Sequence, residues 1–362
     1  MVKFRDTHIL AFFKTWQMTT PLDLSLSNYF KAHKSLGSHD RKEIGETIYT
    51  LIRWKSLFDC LDPSESYSLR LHLLKQKPIS EWTQDPRLPD YARFGLSPYL
   101  YSKLSHYAKV LNTTAPVVIR TNLIKTTREK LLEALAPFSP RPSDKTATAI
   151  IFPKREPLFT LPEFKQGHFE VQDEGSQMVA DLVNAKSGDR ILDYCSGSGG
   201  KTLAIAPKMS GKGELYLHDI RKGSLKEAAL RLRRAGVQNA QILESGHPTL
   251  SKLLHKMDWV LADVPCSGTG TLRRNPDMKW KIDQAMIDRL VQEQRTIFTE
   301  AVRYSKDKVV YATCSLLPEE NENQVEYFLQ HLPLVLEKTV KIVPEIGGCD
   351  GFFAAVFKKS KV

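Results

Sequence analysis

Two cysteines stand where their thiols could perform covalent chemistry. Cys266 lies in the segment Asp263-Val-Pro-Cys-Ser-Gly-Thr-Gly, and Cys314 directly follows the apolar run Val309-Val-Tyr-Ala-Thr. Each cysteine therefore comes at the end of a strand pattern, where a parallel sheet presents side chains to a ligand. A thiolate is a strong nucleophile, and a covalent intermediate divides one difficult step into two easier ones. Free cysteine is also a common core residue, so either thiol alone would indicate packing.

A glycine-rich loop upstream of both cysteines indicates a cofactor site. The loop reads Asp193-Tyr-Cys-Ser-Gly-Ser-Gly-Gly-Lys-Thr202 and follows the apolar strand pattern that begins at Arg190. It fits a nucleotide-phosphate loop poorly, because Cys195 occupies the position where that motif requires a glycine. Asp219 stands 20 residues after Gly199, at the end of the next strand pattern. An acidic residue in this position can bind a ribose hydroxyl.

S-adenosylmethionine fits this loop better than a dinucleotide does. It has a ribose but no pyrophosphate, and its sulfonium and amino-acid end can rest against glycine backbone. The predicted cofactor-binding residues are Asp193, Cys195, Ser196, Gly197, Ser198, Gly199, Gly200, Lys201, Asp219, Asp263 and Pro265. The alternative is that the glycines only form a tight turn from strand to helix.

Two thiols beside a methyl donor suit methylation of a pyrimidine ring. The C5 atom of cytosine is too weak a nucleophile to attack a methyl group directly, so a thiolate must first add to C6. A second thiol would act as a base or assist release of the first. Asp263 could hydrogen-bond the base edge, and Pro265 would stiffen the turn of Cys266. Lys201 could lower a thiol pKa, or it could be a solvated residue at a helix start. The predicted catalytic residues are Cys314, Cys266, Asp263 and Lys201.

Composition narrows the class of protein. The 362 residues carry a net charge of +11, which favours a polyanionic partner because phosphate neutralisation releases counterions; a merely soluble basic protein is the alternative. No apolar run approaches the roughly 20 residues of a membrane span, and the first residues lack a signal-peptide core. We therefore expect a cytoplasmic protein without membrane contact, and a monomer. The five scattered cysteines fit neither a disulfide scaffold nor a zinc site, so we expect reduced thiols and no metal.

Apolar periodicity predicts three domains. Residues 1–110 show helical spacing and predict an all-helical domain. Residues 111–165 predict a small α+β subdomain with strands at 115–125 and 147–152. From 166 to 362 the alternation of strands and helices predicts an α/β, Rossmann-like methyltransferase domain with a doubly wound, mostly parallel sheet. Its predicted strands are 190–194, 214–218, 239–243, 257–263, 308–313 and 352–357.

Several segments together carry a family resemblance. They are Gln172-Asp-Glu-Gly-Ser-Gln177, Asp193–Thr202, Asp263–Gly268 followed by Arg273–Trp280, Thr313-Cys-Ser315 with Glu319–Glu322, and Asp350–Phe353. In this order they resemble the Sun-type RNA (cytosine-C5) methyltransferases, and most closely the bacterial members that modify small-subunit ribosomal RNA. The resemblance implies S-adenosylmethionine-dependent methylation of cytosine C5 in 16S ribosomal RNA. It also implies that Cys314 is the nucleophile and that Cys266 assists product release.

The resemblance extends upstream and predicts RNA contacts. The segment 36–54 looks like the helical RNA-binding domain that ribosomal members share with a transcription antitermination factor, and 111–165 resemble an RNA-recognition-like subdomain. The expected RNA-binding residues are Arg120, Asn122, Arg273, Arg274 and Lys279. These features favour ribosomal over transfer RNA. A transfer-RNA cytosine-C5 methyltransferase and a non-catalytic, RNA-binding ribosome assembly factor remain the alternatives.

Two positions depart from the family pattern. Ser198 stands where the family usually has proline, which should loosen the loop slightly. The family usually has an aspartate that contacts adenine near the end of the third strand, where this chain has Glu244-Ser-Gly-His247. Only Glu244 is available there as a weak substitute.

Overall fold

The structure is a computed structural model that describes residues 4–360, and these fall into two compact units. The helical unit comprises residues 4–114 and 271–284. The sheet unit comprises residues 115–270 and 285–360. The chain thus leaves the sheet unit after Gly270 and returns to it at Ala285, so that a short internal segment belongs to the helical unit.

The helical unit is built from nine helices, as the apolar spacing of 1–110 predicts. They are α1 (Phe4–Thr15), α2 (Leu22–Ala32), α3 (Ser38–Arg53), α4 (Lys55–Leu61), α5 (Tyr67–Gln76), α6 (Ile79–Trp82), α7 (Asp90–Arg93), α8 (Pro98–Leu104) and α9 (Ala108–Leu111). Helix α3 buries Ile44, Ile48, Leu51 and Ile52 because residues three or four apart share one helix face. The indole of Trp280, from the internal segment, donates to the carbonyl of Ile52 (2.9 Å).

The sheet unit opens with a small antiparallel sheet. Its strands are β1 (Val117–Thr121), β2 (Arg141–Pro142), β3 (Ala149–Phe152) and β4 (Phe169–Val171), in the order β2-β3-β1-β4. Two short helices belong to this part, α10 (Arg128–Ala134) and α11 (Pro162–Lys165). The apolar face of the sheet packs on α10 through Ile119, Ile150 and Leu131.

A larger, mostly parallel sheet positions the candidate site. Its strands are β5 (Arg190–Asp193), β6 (Glu214–Asp219), β7 (Ala240–Glu244), β8 (Met257–Asp263), β9 (Ser305–Thr313), β10 (Leu334–Ile342) and β11 (Phe352–Lys359). The order is β10-β11-β9-β8-β5-β6-β7, in which β5 to β9 run parallel and β11 is antiparallel to both of its neighbours, β9 and β10. The direction of the connections reverses at β5, and α/β sheets bind ligands in the crevice at such a point.

Helices cover both faces of this sheet. They are α12 (Glu174–Asp181), α13 (Gly200–Ile205), α14 (Lys222–Ala235), α15 (Pro248–Lys252), α16 (Gln284–Val302) and α17 (Glu322–His331). One apolar cluster, with Phe298 and Phe328, lies on one face, and a second, with Val179 and Ile205, lies on the other. Burial on both faces explains the continuous apolar runs of the central strands.

The sequence did not predict strand β10. Leu334 and Ile342 at its two ends are buried, but most residues between them are exposed or half-buried, and three of these are charged. One face of this edge strand is exposed to water, so its sequence shows only a weak apolar pattern. Charged side chains on an edge strand also discourage pairing with strands of other chains. Within residues 4–360, the helices lack the combined length and apolar character that a membrane span requires.

Candidate active site

Neighbouring parallel strands bring the two cysteines together. Strands β8 and β9 pair in register, with Asp263 opposite Ala312, so the turns that follow them leave the same edge of the sheet. The sulfur atoms of Cys266 and Cys314 lie 3.3 Å apart, and both side chains are half-buried. This distance places the two thiols in direct hydrogen-bond contact.

The backbone holds the two turns against each other. The N–H of Gly270 donates to the carbonyl of Cys314 (2.9 Å), and the N–H of Leu316 donates to Thr269 Oγ1 (2.8 Å). Thr313 Oγ1 donates to Asn321 Oδ1 (2.6 Å), which ties the Cys314 turn to the start of α17. Because these groups are buried, the separation of the thiols is set by the fold rather than by mobile side chains.

Hydrogen bonding makes the two thiols unequal. The hydrogen bond with Cys314, together with burial, raises the pKa of Cys266 well above its ordinary value. Cys266 therefore keeps its proton at neutral pH. A protonated Cys266 can donate to the sulfur of Cys314.

Lys201 and Asp263 form an ion pair beside the thiols. Lys201, at the start of α13, is largely buried, and its Nζ contacts Asp263 Oδ2 at the end of β8. Burial alone would lower the pKa of Lys201, but Asp263, Asp193 and Cys314 together raise it above its ordinary value. Lys201 is therefore a fixed cation next to the thiol pair, and the alternative of a solvated helix-start residue is wrong.

The cavity beside the thiols measures about 650 Å³. Of the predicted cofactor residues, those that line it are Asp193, Cys195, Ser196, Gly197, Ser198, Gly200, Lys201, Asp219, Asp263 and Pro265, and both Cys266 and Cys314 reach it. Gly199 faces the other way. Its φ is +78°, and a Cβ there would lie 3.1 Å from Leu217 and 3.4 Å from Ala228. This glycine lets α14 pack closely on the sheet.

Asp219 anchors the loop as well as facing the cavity. Its Oδ2 accepts from the N–H of Gly197 (2.8 Å) and its Oδ1 from the N–H of Arg221 (2.8 Å). Burial opposes ionisation, but these hydrogen bonds and the Arg221 guanidinium hold the pKa of Asp219 below its ordinary value. The carboxylate is thus ionised at neutral pH and available to a hydroxyl donor.

Two further groups test whether S-adenosylmethionine fits. Asp193 accepts from Thr202 Oγ1 (2.7 Å), while its buried Oδ1 has no partner. An orphaned carboxylate oxygen in a cavity suits a cationic ligand group, because buried polar atoms need a partner. Ile220 leaves 74% of its side chain exposed next to Asp219, although it is apolar. An apolar surface beside a ribose acceptor suits an aromatic base, so the residues fit this cofactor.

Sequence reasoning missed eight residues of the cavity. They are Ser176, Tyr194, His218, Ile220, Arg221, Val264, Glu293 and Ile297. His218 and Ile220 flank Asp219, so the acidic residue itself could have drawn attention to them. Glu293 and Ile297 come from α16, far along the chain, and no local motif marks them. Burial raises the pKa of Cys195, so this thiol of the cavity keeps its proton at neutral pH.

Four of the five predicted RNA-binding residues are corrected, because their side chains are buried. Arg120 donates to Gln172 Oε1 and to the carbonyl of Gly200. Asn122 donates to the carbonyls of Gly167 and Ala235, both at 2.8 Å. Lys279, in the helical unit, donates to Asn112 Oδ1 and to the carbonyl of Gly95. Arg273 is also buried, and only Arg274 is half-exposed.

The contacts of Ser198 and Glu244 show the effect of the two departures from the family pattern. Ser198 does not leave the loop loose, because Arg231 donates to both its hydroxyl (2.6 Å) and its carbonyl (3.0 Å). Glu244 is exposed and pairs with Lys222 (2.9 Å) outside the cavity. It is therefore wrong as a substitute for the missing adenine contact, for which Ile220 offers an apolar surface instead.

Comparison with known families agrees with this geometry. Residues 180–358, which contain the large sheet, match the family model described as 16S rRNA methyltransferase RsmB/F. These residues therefore form a domain of the RsmB/F methyltransferase family. The predicted family and the predicted α/β fold class are thereby confirmed. Membership of the RsmB/F family also supports the predicted enzyme class and the predicted cofactor, S-adenosylmethionine.

Two relatives that share this domain are described as ribosomal RNA methyltransferases. A probable ribosomal RNA small subunit methyltransferase B of Synechocystis is 32% identical over 278 residues, which are 69% of this chain and 61% of the relative. A 28S rRNA (cytosine-C(5))-methyltransferase of mouse is 29% identical over 292 residues, which are 71% of this chain and 37% of the relative. The chain thus spans less than two thirds of the length of each of these relatives.

A solved structure shares the fold. The crystal structure of PH0851 covers 97% of this chain and 97% of its own, with a TM-score of 0.80 and 20% sequence identity. At that identity the likeness concerns the fold alone.

Proposed function

We propose that this chain is an S-adenosylmethionine-dependent RNA methyltransferase that modifies cytosine C5. The observation that carries the proposal is the pair of thiols 3.3 Å apart at the edge of the cofactor cavity. A single thiol would suffice for attack on C6. A second thiol in contact with the first can act as the base that removes the C5 proton, or can assist release, so that the covalent bond to C6 breaks after methylation.

Each residue of the site has a role in this proposal. Cys314 attacks C6 of the base as the thiolate, and Cys266, which holds its proton, assists release of the product. Asp263 faces the base edge, and Lys201 keeps its carboxylate in place through their ion pair. When bound, S-adenosylmethionine supplies an electrophilic methyl group. Asp219 would bind its ribose and Asp193 would accept from its cationic end, and the loop from Gly197 to Gly200 would help to hold it.

We propose small-subunit ribosomal RNA as the substrate. The net charge of +11 suits a polyanion, and the Synechocystis relative carries the description of a small-subunit enzyme. The target cytosine must be unstacked, because sulfur and methyl approach opposite faces of the ring. Arg274 remains the one predicted RNA contact that is not buried. The predicted monomer, the cytoplasmic location and the domain limits 1–110, 111–165 and 166–362 stay part of the proposal.

A methylation assay with three RNAs tests the proposal. The purified protein is incubated with radiolabelled S-adenosylmethionine and with unmodified 16S ribosomal RNA, 16S RNA in small subunits, or transfer RNA. We expect label in 16S RNA, mapped to cytosine C5 by bisulfite sequencing. Label in transfer RNA alone would move the activity to that substrate. Cofactor binding by calorimetry with no labelled RNA would favour the assembly-factor alternative.

A further inference from the structure

Glu320 is a fully buried carboxylate beneath the Cys266 turn. It lies in the short turn between β9 and α17. Its Oε1 accepts from the N–H of Ser267 (2.9 Å) and from Gln294 Nε2 (2.9 Å), and its Oε2 accepts from the Ser267 hydroxyl. These donors are neutral groups, so they satisfy the carboxylate without cancelling its charge. A buried negative charge acts strongly on neighbouring groups because water does not screen it.

The same carboxylate holds both neighbours of Cys266. Ser267, which follows the cysteine, binds Glu320 directly. The carbonyl of Pro265, which precedes it, accepts from Gln294 Nε2 (3.0 Å), and that amide also donates to Glu320. Gln324 Nε2 in turn donates to Gln294 Oε1 (2.9 Å), which fixes the orientation of the Gln294 amide. The position of the charge relative to the Cys266 thiol is thus set by the fold.

A negative charge acts on Cys266. Glu320 is among the groups that raise the pKa of Cys266, after the hydrogen bond with Cys314 and burial. An anion disfavours a thiolate beside it. The Lys201 ammonium, which lines the same cavity, is held in an ion pair with Asp263. Glu320 therefore favours the protonated form of Cys266.

We infer that Glu320 is a positioning residue which holds the Cys266 turn in place and keeps the proton on Cys266, so that Cys314 is the sulfur that attacks. No bond to substrate is assigned to Glu320, because it acts through Ser267, Gln294 and its charge. The inference rests on the proposed function only for the identity of the base that Cys314 attacks. The location of the proton on Cys266 does not depend on the proposed function, so the inference and the proposed function can be tested separately.

Alkylation of the wild-type protein tests the location of the thiolate. The protein is treated with iodoacetamide at neutral pH, without RNA or cofactor, and the modified cysteine is identified by peptide mass spectrometry at low conversion. Because the thiolate reacts and the thiol does not, we expect Cys314 to be alkylated about tenfold faster than Cys266, or more. Equal rates, or faster alkylation of Cys266, would overturn the inference.

Glu320→Gln then tests the cause. Glutamine keeps the shape and the hydrogen-bonding capacity of the side chain but removes its charge. The preference for Cys314 should fall by about tenfold, which corresponds to one unit of pKa difference, and alkylation of Cys266 should begin at lower pH than in the wild type. The matched control is Glu326→Gln, which removes an exposed carboxylate from α17 and should leave the preference unchanged.

The outcomes separate a charge effect from a structural one. If Glu320 served only to stabilise the turn, Glu320→Gln would lower the melting temperature without changing the ratio of the two alkylation rates, and the inference would be wrong. If this variant does not fold, the wild-type ratio and its pH profile still decide the location of the proton. A protein that shows the expected ratio but methylates no RNA would contradict the proposed function and leave the inference standing.

Discussion

The sulfur atoms of Cys266 and Cys314 lie 3.3 Å apart at the ends of two adjacent parallel strands. The raised pKa of Cys266 keeps the proton on that thiol at neutral pH. In the proposed mechanism Cys314 attacks the base, and Cys266 donates or accepts a proton.

The first prediction concerns the roles of the two thiols. Cys314→Ala should reduce methylation to background, because no other thiol can form the adduct with C6. Cys266→Ala should instead trap the protein on its RNA, since the adduct forms but release is slow. A denaturing gel with labelled RNA measures the trapped complex. The double variant is the control and should trap nothing; trapping by Cys314→Ala alone would exchange the two assignments.

A second prediction concerns the ribose contact. Asp219→Asn should weaken S-adenosylmethionine binding by about 10- to 100-fold, because it removes a charged hydrogen-bond acceptor from the cavity. Isothermal calorimetry of the purified protein measures the dissociation constant. Glu244→Gln removes an exposed carboxylate near the next strand end and should leave the affinity unchanged. Equal affinity of Asp219→Asn and wild type would remove the ribose role from Asp219.

The third prediction concerns pH. Burial raises the pKa of Asp193 to about 7, from an ordinary value of 3.8. Between these two values the native state holds a proton that the unfolded chain has lost, so the contribution of Asp193 to stability falls as pH rises through this range. Asp193→Asn cannot titrate. The stability of wild type relative to Asp193→Asn should therefore decrease from about pH 4 to about pH 7, by a few kcal/mol.

Urea denaturation of both proteins at several pH values measures this difference. Asp144→Asn replaces an exposed aspartate of the same unit and is the control, for which we expect a nearly constant difference. If the difference in stability between wild type and Asp193→Asn does not change with pH, the surroundings of Asp193 stabilise its carboxylate as an anion. The measurement is made without cofactor, because Oδ1 of Asp193 is buried and has no partner within the protein itself.

The fourth prediction follows from the correction of the RNA-binding residues. Asn122→Ala should destabilise the sheet unit by about 2–4 kcal/mol, because it leaves the buried carbonyls of Gly167 and Ala235 without a donor. RNA affinity of the folded variant, measured by filter binding at low temperature, should equal that of wild type. The exposed Asn323→Ala should change neither quantity. A loss of RNA affinity without a loss of stability would restore Asn122 as an RNA contact.

The thiols, the glycine loop and Asp219 could be found in the sequence because strand ends are visible there. Each lies directly after an apolar run, and the topology of a parallel sheet gathers the carboxyl ends of its strands at one edge. The contact between Cys266 and Cys314 could not be foreseen at the level of ångströms. It depends on the register of β8 with β9 and on the bond from Gly270 to the carbonyl of Cys314.

The sequence shows which residues are charged but not whether they are buried, and this explains why the RNA-binding predictions were wrong. Arg120 and Lys279 looked like RNA ligands because they are basic, yet each is enclosed and donates to carbonyl oxygens. Glu320 was part of a matching segment, but its function depends on Gln294, which lies 26 positions earlier on another element. Strand β10 was missed because its exposed polar residues interrupt the apolar pattern by which strands are recognised.

The helical unit is discontinuous in the chain, and this has a consequence for synthesis. Trp280 packs on the same apolar cluster as Ile48 and Leu51, and Lys279 supplies a donor to Asn112 and Gly95. During translation, residues 115–270 must all emerge before these side chains become available. The first hundred residues of the nascent chain therefore cannot complete their tertiary structure early, and a fragment that stops at residue 114 would lack the pieces that finish it.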